Sequence, residues 1–313
     1  MKSLNEYITV DESGEYNLRP TNGGELKRLI KQRIKEQGPK CDLNDIDVSG
    51  VEDMSGLFMN SEFDGDISKW DVSHVDDMSY MFYDSEFNGD ISNWNVSNVR
   101  YMNSMFSGSK FNKDISKWDV SSVEYMDNMF SDTKFNGDLS KWDTSNVEGM
   151  SGVFYKSKFN GDISDWDVSS VVNMNSMFSR SKFKGDLSKW NVGKVRNMNF
   201  MFSSSLFDGD ISKWNVSNVE EMSCMFRDSQ FNGDLSKWNV SNVMYMECMF
   251  SRSQFNGDIS KWNVSRVYNM DYMFYRSKFS GDISGWKVRL AHAEEMFCES
   301  PLEGKEPSWY VEC

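Results

Sequence analysis

Tryptophan recurs at positions 70, 94, 118, 142, 166, 190, 214, 238, 262 and 286, each 24 residues from the last, with no insertion in that run. The stretch Phe63 to Phe82, FDGDISKWDVSHVDDMSYMF, is the unit; the rest of the chain copies it or caps it. A unit this short cannot bury its own apolar face and must stack on its neighbours, so the period restricts the chain to a repeat architecture. All four prolines, at 20, 39, 301 and 307, lie outside the array, as a ladder that uses every backbone N–H requires.

Within the unit the apolar positions are 63, 67, 70, 72, 75, 78, 81 and 82. Trp70-x-Val72 has the step of two that a strand needs. Val75, Met78, Met81 and Phe82 have the steps of one face of a helical turn. Ser73 precedes that turn with Asp76 three residues on, and Glu124, Glu148 and Glu220 stand where Asp76 does, a pattern resembling a capping box. The spacing predicts a short parallel strand near 67–72, a short α or 3-10 helix near 74–83, and a closing turn at Gly65-Asp66. The expected fold is an α/β solenoid of about ten 24-residue repeats over residues 42–286, with strands ~4.8 Å apart.

Residues 1–41 read as an N-terminal cap. Tyr16–Arg19 is a short extended piece. Asn22 and Glu25 make a capping-box-like pair, Leu26, Leu29, Ile30 and Ile34 form one apolar helix face, and Gly38-Pro39 ends the helix. Asp42 to Ser49 already aligns with Asp66 to Ser73, with Ile46 in the tryptophan position. Residues 287–313 read as a C-terminal cap, with a helix over 291–297.

Leu/Ile-x-x-Trp-x-Val, then Val-x-x-Met-x-x-Met-Phe, then Ser and Phe-Asn-Gly-Asp, resembles the bacterial surface-protein repeat of mycoplasma lipoproteins, which is grouped with leucine-rich repeats. The resemblance spans roughly residues 24–300. It implies a leucine-rich-repeat-like, right-handed coil and a role in adhesion or protein contact, with no catalytic residues to carry over.

Unvarying positions carry the fold. The indoles are expected to stack in the core, each burying ~150–250 Å²; sugar stacking would need exposed rings. The Asp ladder (66, 90, 114, 138, 162, 186, 210, 234, 258, 282) has two readings. Each carboxylate accepts backbone N–H bonds in its own turn, or the ladder binds Ca²⁺ between repeats. Ca²⁺ wants about six to eight oxygens, and one unvarying carboxylate per repeat favours the first. Pairs such as Lys69/Asp71, Lys117/Asp119, Lys141/Asp143 and Lys213/Asn215 make a lysine stripe beside an acid/amide stripe, either self-neutralising or facing a repetitive ligand.

Net charge is −14, which argues against nucleic acid as a partner. Cysteines 41, 224, 248, 298 and 313 have no metal-ligand spacing and fit a reduced interior. There is no apolar leader and no membrane span, so the expected location is cytoplasmic or particle-associated; the family resemblance points to a cell surface. His74 and His292 lie far apart in the array, and neither a catalytic grouping nor a phosphate loop is present. The expectation is a non-enzymatic protein-binding or structural scaffold without cofactor or metal. The alternative is an adhesin or host-recognition protein, on a cell surface or phage particle, that binds a protein or glycan.

On the expected helical face, positions 76, 80 and 83 point outward. The position-80 series turns apolar at Phe200, Cys224, Cys248 and Tyr272, beside Met244, Tyr245, Tyr268 and Tyr275. A stripe of this kind suits a protein partner or a second copy of the chain. Two other readings stand beside it: a register shifted by one, which makes these side chains core, and a Cys224–Cys248 crosslink between neighbouring repeats.

Overall fold

The computed structural model describes residues 8–10, 16–289 and 292–311. Backbone contacts divide the chain into two compact units, residues 1–146 and 147–313.

In the first unit, β1 (Ile8–Val10) and β2 (Tyr16–Leu18) pair antiparallel. Leu18 then makes a parallel bridge to Ile46, and the Asp47 N–H donates to the Leu18 carbonyl at 2.9 Å. The strand thus starts the stack where the first repeat has isoleucine for tryptophan. Helix α1 (Gly23–Gln37) is capped as its sequence predicts: the Glu25 N–H donates to the Asn22 side chain at 3.0 Å. The reciprocal bond goes one residue further back, from the Thr21 N–H to the Glu25 carboxylate at 3.0 Å. Leu26, Leu29 and Ile30 are buried while Ile34 is half-buried. The Lys27 ammonium donates to the Gly56 carbonyl at 2.7 Å, and Arg33 pairs with Asp45, which fastens α1 to the first repeats.

No strand forms over 67–72 and no helix over 74–83; bridges and turns replace both. Tyr80 and Asp84 have φ of 58° and 47°, and the same two positions are left-handed in every repeat described. A left-handed residue cannot continue a right-handed helix. Successive N–H groups instead alternate. Those of Met78, Tyr80, Phe82 and Asp84 donate across to Tyr101, Asn103, Met105 and Ser107 at 2.8–2.9 Å. Those of Met81 and Tyr83 turn back onto Met78 and Tyr80 at 3.1–3.2 Å. The segment is a run of overlapping β-turns whose i→i+3 bonds reproduce the spacing that suggested a helix. Apart from Leu18–Ile46 and Asp42–Asp66 at the start of the stack, the parallel bridges fall between Val75 and Met78 rather than at Trp-x-Val: 53, 77, 101 and 125 in the first unit, and 149, 173, 197, 221, 245, 269 and 292 in the second.

The apolar positions read from the sequence are the core. Phe63, Ile67, Trp70, Val72, Val75, Met78, Met81 and Phe82 are all buried. Two phenylalanine columns run through each unit. Neighbours along the column of Phe154, Phe178, Phe202 and Phe226 lie 5.7–5.8 Å apart. The two columns meet at 4.3–4.5 Å, as at Phe154–Phe159 and Phe226–Phe231. These are offset-stacked distances that add to the burial of the rings.

The C-terminal segment departs from expectation. Ala291 lies outside the described residues, and 292–297 form a bridge and turns, not a helix. His292 bridges Asn269, and Glu295 and Glu299 take the left-handed φ of the repeat. Trp309 stacks on Trp286 at 6.0 Å and donates its indole N–H to the Ile283 carbonyl at 2.9 Å. Residues 292–309 therefore carry the repeat on, with the one-residue shortfall falling before His292, and Trp309 is a rung that the 24-residue count passes over. Among the described residues no helix is long and apolar enough to cross a membrane.

Candidate functional site

Each member of the Asp ladder accepts the N–H of the serine two residues on, at 2.8–2.9 Å, from Asp66–Ser68 to Asp282–Ser284. These backbone bonds hold the carboxyls of Asp66, Asp90, Asp114, Asp186, Asp210, Asp258 and Asp282 below the usual carboxylate range. The carboxylates are thus engaged as turn locks. Among the described residues no group of three or more His, Cys, Asp or Glu is placed to hold a metal ion. A cleft of about 670 Å³ lies beside the N-terminus of α1, lined by Asn22, Gly23, Lys27 and Asp53 among others. Asn22 already accepts from the first turn there.

The expected contact stripe lies within the second unit. Phe200, Tyr245 and Tyr268 are 39%, 43% and 58% exposed. Met244, Cys248, Tyr272 and Tyr275 are half-buried, and Cys224 is buried at 5%. Their contacts are local. Tyr268 and Met244 sit in adjacent repeats, joined by the Tyr268 N–H to the Met244 carbonyl at 2.8 Å. Tyr272 meets Tyr275 edge-on at 5.9 Å, and the Arg276 guanidinium lies 5.0 Å from the Tyr275 ring centre. Glu294 and Glu295 push the Tyr272 phenol up.

Phe200 opens onto a cleft of about 400 Å³ shared with Tyr155, Arg180, Arg227 and several serines. It is the one phenylalanine of the 22 that is not buried.

Cys224 and Cys248 occupy the same position of adjacent repeats and are free thiols. The Cys224 thiol is pushed up, first by its hydrogen bond with Cys248 and then by burial. The lysine stripe is salt-linked in part, as at Lys189–Asp165, 3.0 Å and exposed.

Residues 30–136, 126–230 and 203–308 each match the family described as Mycoplasma protein of unknown function, DUF285. The chain belongs to this family. No curated protein and no solved structure matches it.

Sequence reasoning missed two features of the DUF285 array. One is the pair of left-handed positions per repeat, for which Gly56, Gly108 and Gly152 were the available signal. The other is the run of cations at Lys156, Lys158, Arg180, Lys182 and Lys184, which the alternation of buried and exposed residues places together on the surface.

Proposed function

We propose that this DUF285 chain is a non-enzymatic scaffold, a leucine-rich-repeat-like right-handed solenoid, and that its second unit holds a protein partner through exposed aromatic side chains. The observation that carries this reading is Phe200. At that position, Tyr80 apart, the preceding repeats hold Ser104, Asn128, Gly152 and Ser176, yet here a large apolar ring stands in water beside a cleft. Tyr245 and Tyr268 extend the apolar surface in the later repeats. Aromatic residues set among small polar ones are the usual anchors of protein contacts. The non-enzymatic part is supported by the histidines: His74 lies 3.1 Å from the Val48 carbonyl in the first unit, and His292 sits in the last repeat of the second.

The test is a comparison of wild type with Phe200→Ser/Tyr245→Ser/Tyr268→Ser in capture from the native host. A partner held by wild type and lost by a variant with unchanged melting supports the reading. A folded variant that keeps the same partner overturns it.

A further inference from the structure

The charge of the chain is unevenly divided. Residues 1–146 carry 15 Lys+Arg against 27 Asp+Glu, a net of −12, and residues 147–313 carry 19 against 21, a net of −2. The difference is concentrated at one corner of the repeat. After the second left-handed residue the chain alternates, as in Arg180, Lys182 and Lys184 exposed, with Ser181 and Phe183 buried between them. Each repeat thus presents three outward side chains there, and adjacent repeats form a two-by-three strip.

In the first unit that strip is Asn60, Glu62, Asp64, Asp84, Glu86 and Asn88, four carboxylates and no cation. In the second it is Lys156, Lys158, Asn160, Arg180, Lys182 and Lys184, five cations and no acid. The frameworks beneath are congruent. The Glu86 N–H donates to the Ser61 carbonyl at 3.0 Å, and the Lys182 N–H to the Ser157 carbonyl at 3.4 Å. The Asn88 N–H reaches Asp64 Oδ1 at 3.0 Å, and the Lys184 N–H reaches Asn160 Oδ1 at 2.7 Å. The two strips therefore share one grid, with opposite charge.

Local pairing leaves most of this charge open. Among the described residues no ion pair engages Lys158, Arg180, Lys182 or Lys184. On the acidic strip, Lys40 and Lys110 reach Asp64 and Glu86 only at 3.8 and 4.0 Å, from well-exposed positions, where such pairs contribute little.

We propose that the basic strip of one molecule docks on the acidic strip of a second copy of this chain. Such a contact joins two different surfaces, so it continues beyond a dimer or closes into a ring, and its strength falls steeply with salt. It uses none of the exposed aromatics, and of its cations only Arg180 also lines the Phe200 cleft, so variants that leave Arg180 in place keep its failure and that of the protein-partner reading separable.

Sedimentation velocity on the full chain at about 20 mM and about 0.5 M salt gives the first readout. Larger species that grow with concentration at low salt and dissolve to monomer at high salt are expected. Two variants give the second: Lys158→Glu/Lys182→Glu/Lys184→Glu, and Glu62→Lys/Asp84→Lys/Glu86→Lys. Each is expected to be monomeric alone at low salt, and the equimolar mixture to associate again, since each then offers what the other lacks. A wild type that stays monomeric at low salt overturns the proposal whether or not the variants fold. So does either folded variant associating alone as wild type does, or a mixture of folded variants that stays apart. A monomeric wild type that binds a single-stranded oligonucleotide through the basic strip assigns that strip to a polyanion, and likewise overturns it.

Discussion

The indole N–H of Trp238 donates to the main-chain carbonyl of Ile211, 3.1 Å away and 27 residues earlier in the chain. The same bond recurs at Trp190, Trp214, Trp262 and Trp286, and in the first unit at Trp70, Trp94, Trp118 and Trp142. Each tryptophan therefore fills its own repeat and satisfies a buried carbonyl of the one before. This explains why the position tolerates no other aromatic through the run.

Trp238→Phe keeps most of the packing and removes the donor. Leaving the Ile211 carbonyl without its partner costs about 1–3 kcal/mol. Urea unfolding should show a lower midpoint with an unchanged slope.

Ser176 has φ of 58°, a conformation that costs an L-residue about 1–2 kcal/mol and glycine almost nothing. Ser176→Gly is expected to hold or raise stability, and Ser176→Val to lower it by about 1 kcal/mol or more, since a β-branched residue fits that φ worst. A helix at this position would give the other result for glycine, a loss of about 0.5 kcal/mol or more. Paired thermal melts of the two variants distinguish turn from helix.

These two substitutions mark what was legible in the sequence. The buried set was, from Phe63 through Phe82, because an unbroken period aligns the same side chain in every repeat, and inward positions cannot vary without losing packing. The backbone that carries them was not. A turn series with i→i+3 bonds and a helix face both bring apolar residues round about every third position, and tyrosine, phenylalanine or arginine at a left-handed φ gives no compositional sign of it. The exposure of Phe200, Tyr245 and Tyr268 was legible residue by residue. The burial of Cys224, which occupies the same repeat position as Phe200, was not.

Acid should unfold the chain through the Asp ladder. The serine N–H bonds lower the folded pKa of Asp90, Asp114, Asp186, Asp210 and Asp258. The stabilisation is complete above the unfolded carboxylate pKa of about 4 and is lost as pH falls through the folded value. Tm should be flat from about pH 7 to about pH 5 and fall below about pH 4. Asp210→Asn, which keeps the acceptor oxygen but cannot titrate, should lose less Tm across the acid range than wild type.

Chelation should leave stability alone. Each ladder carboxylate already accepts a serine N–H, and the described residues offer no cluster suited to a metal. Excess EDTA is expected to leave Tm within error of the untreated protein; a fall of many degrees would show that the carboxylates do more than lock turns.

Because the N–H of Cys248 reaches the next repeat in the same way as that of Phe200, equivalent positions of the 24-residue repeats are interchangeable as splice points. Unequal crossing-over between two copies of the coding repeat would delete or duplicate a whole rung and rejoin the ladder in register, with no new turn to invent. Such a gene can change length in one recombination event, and what selection then tests is only which side chains the added rung shows to the outside.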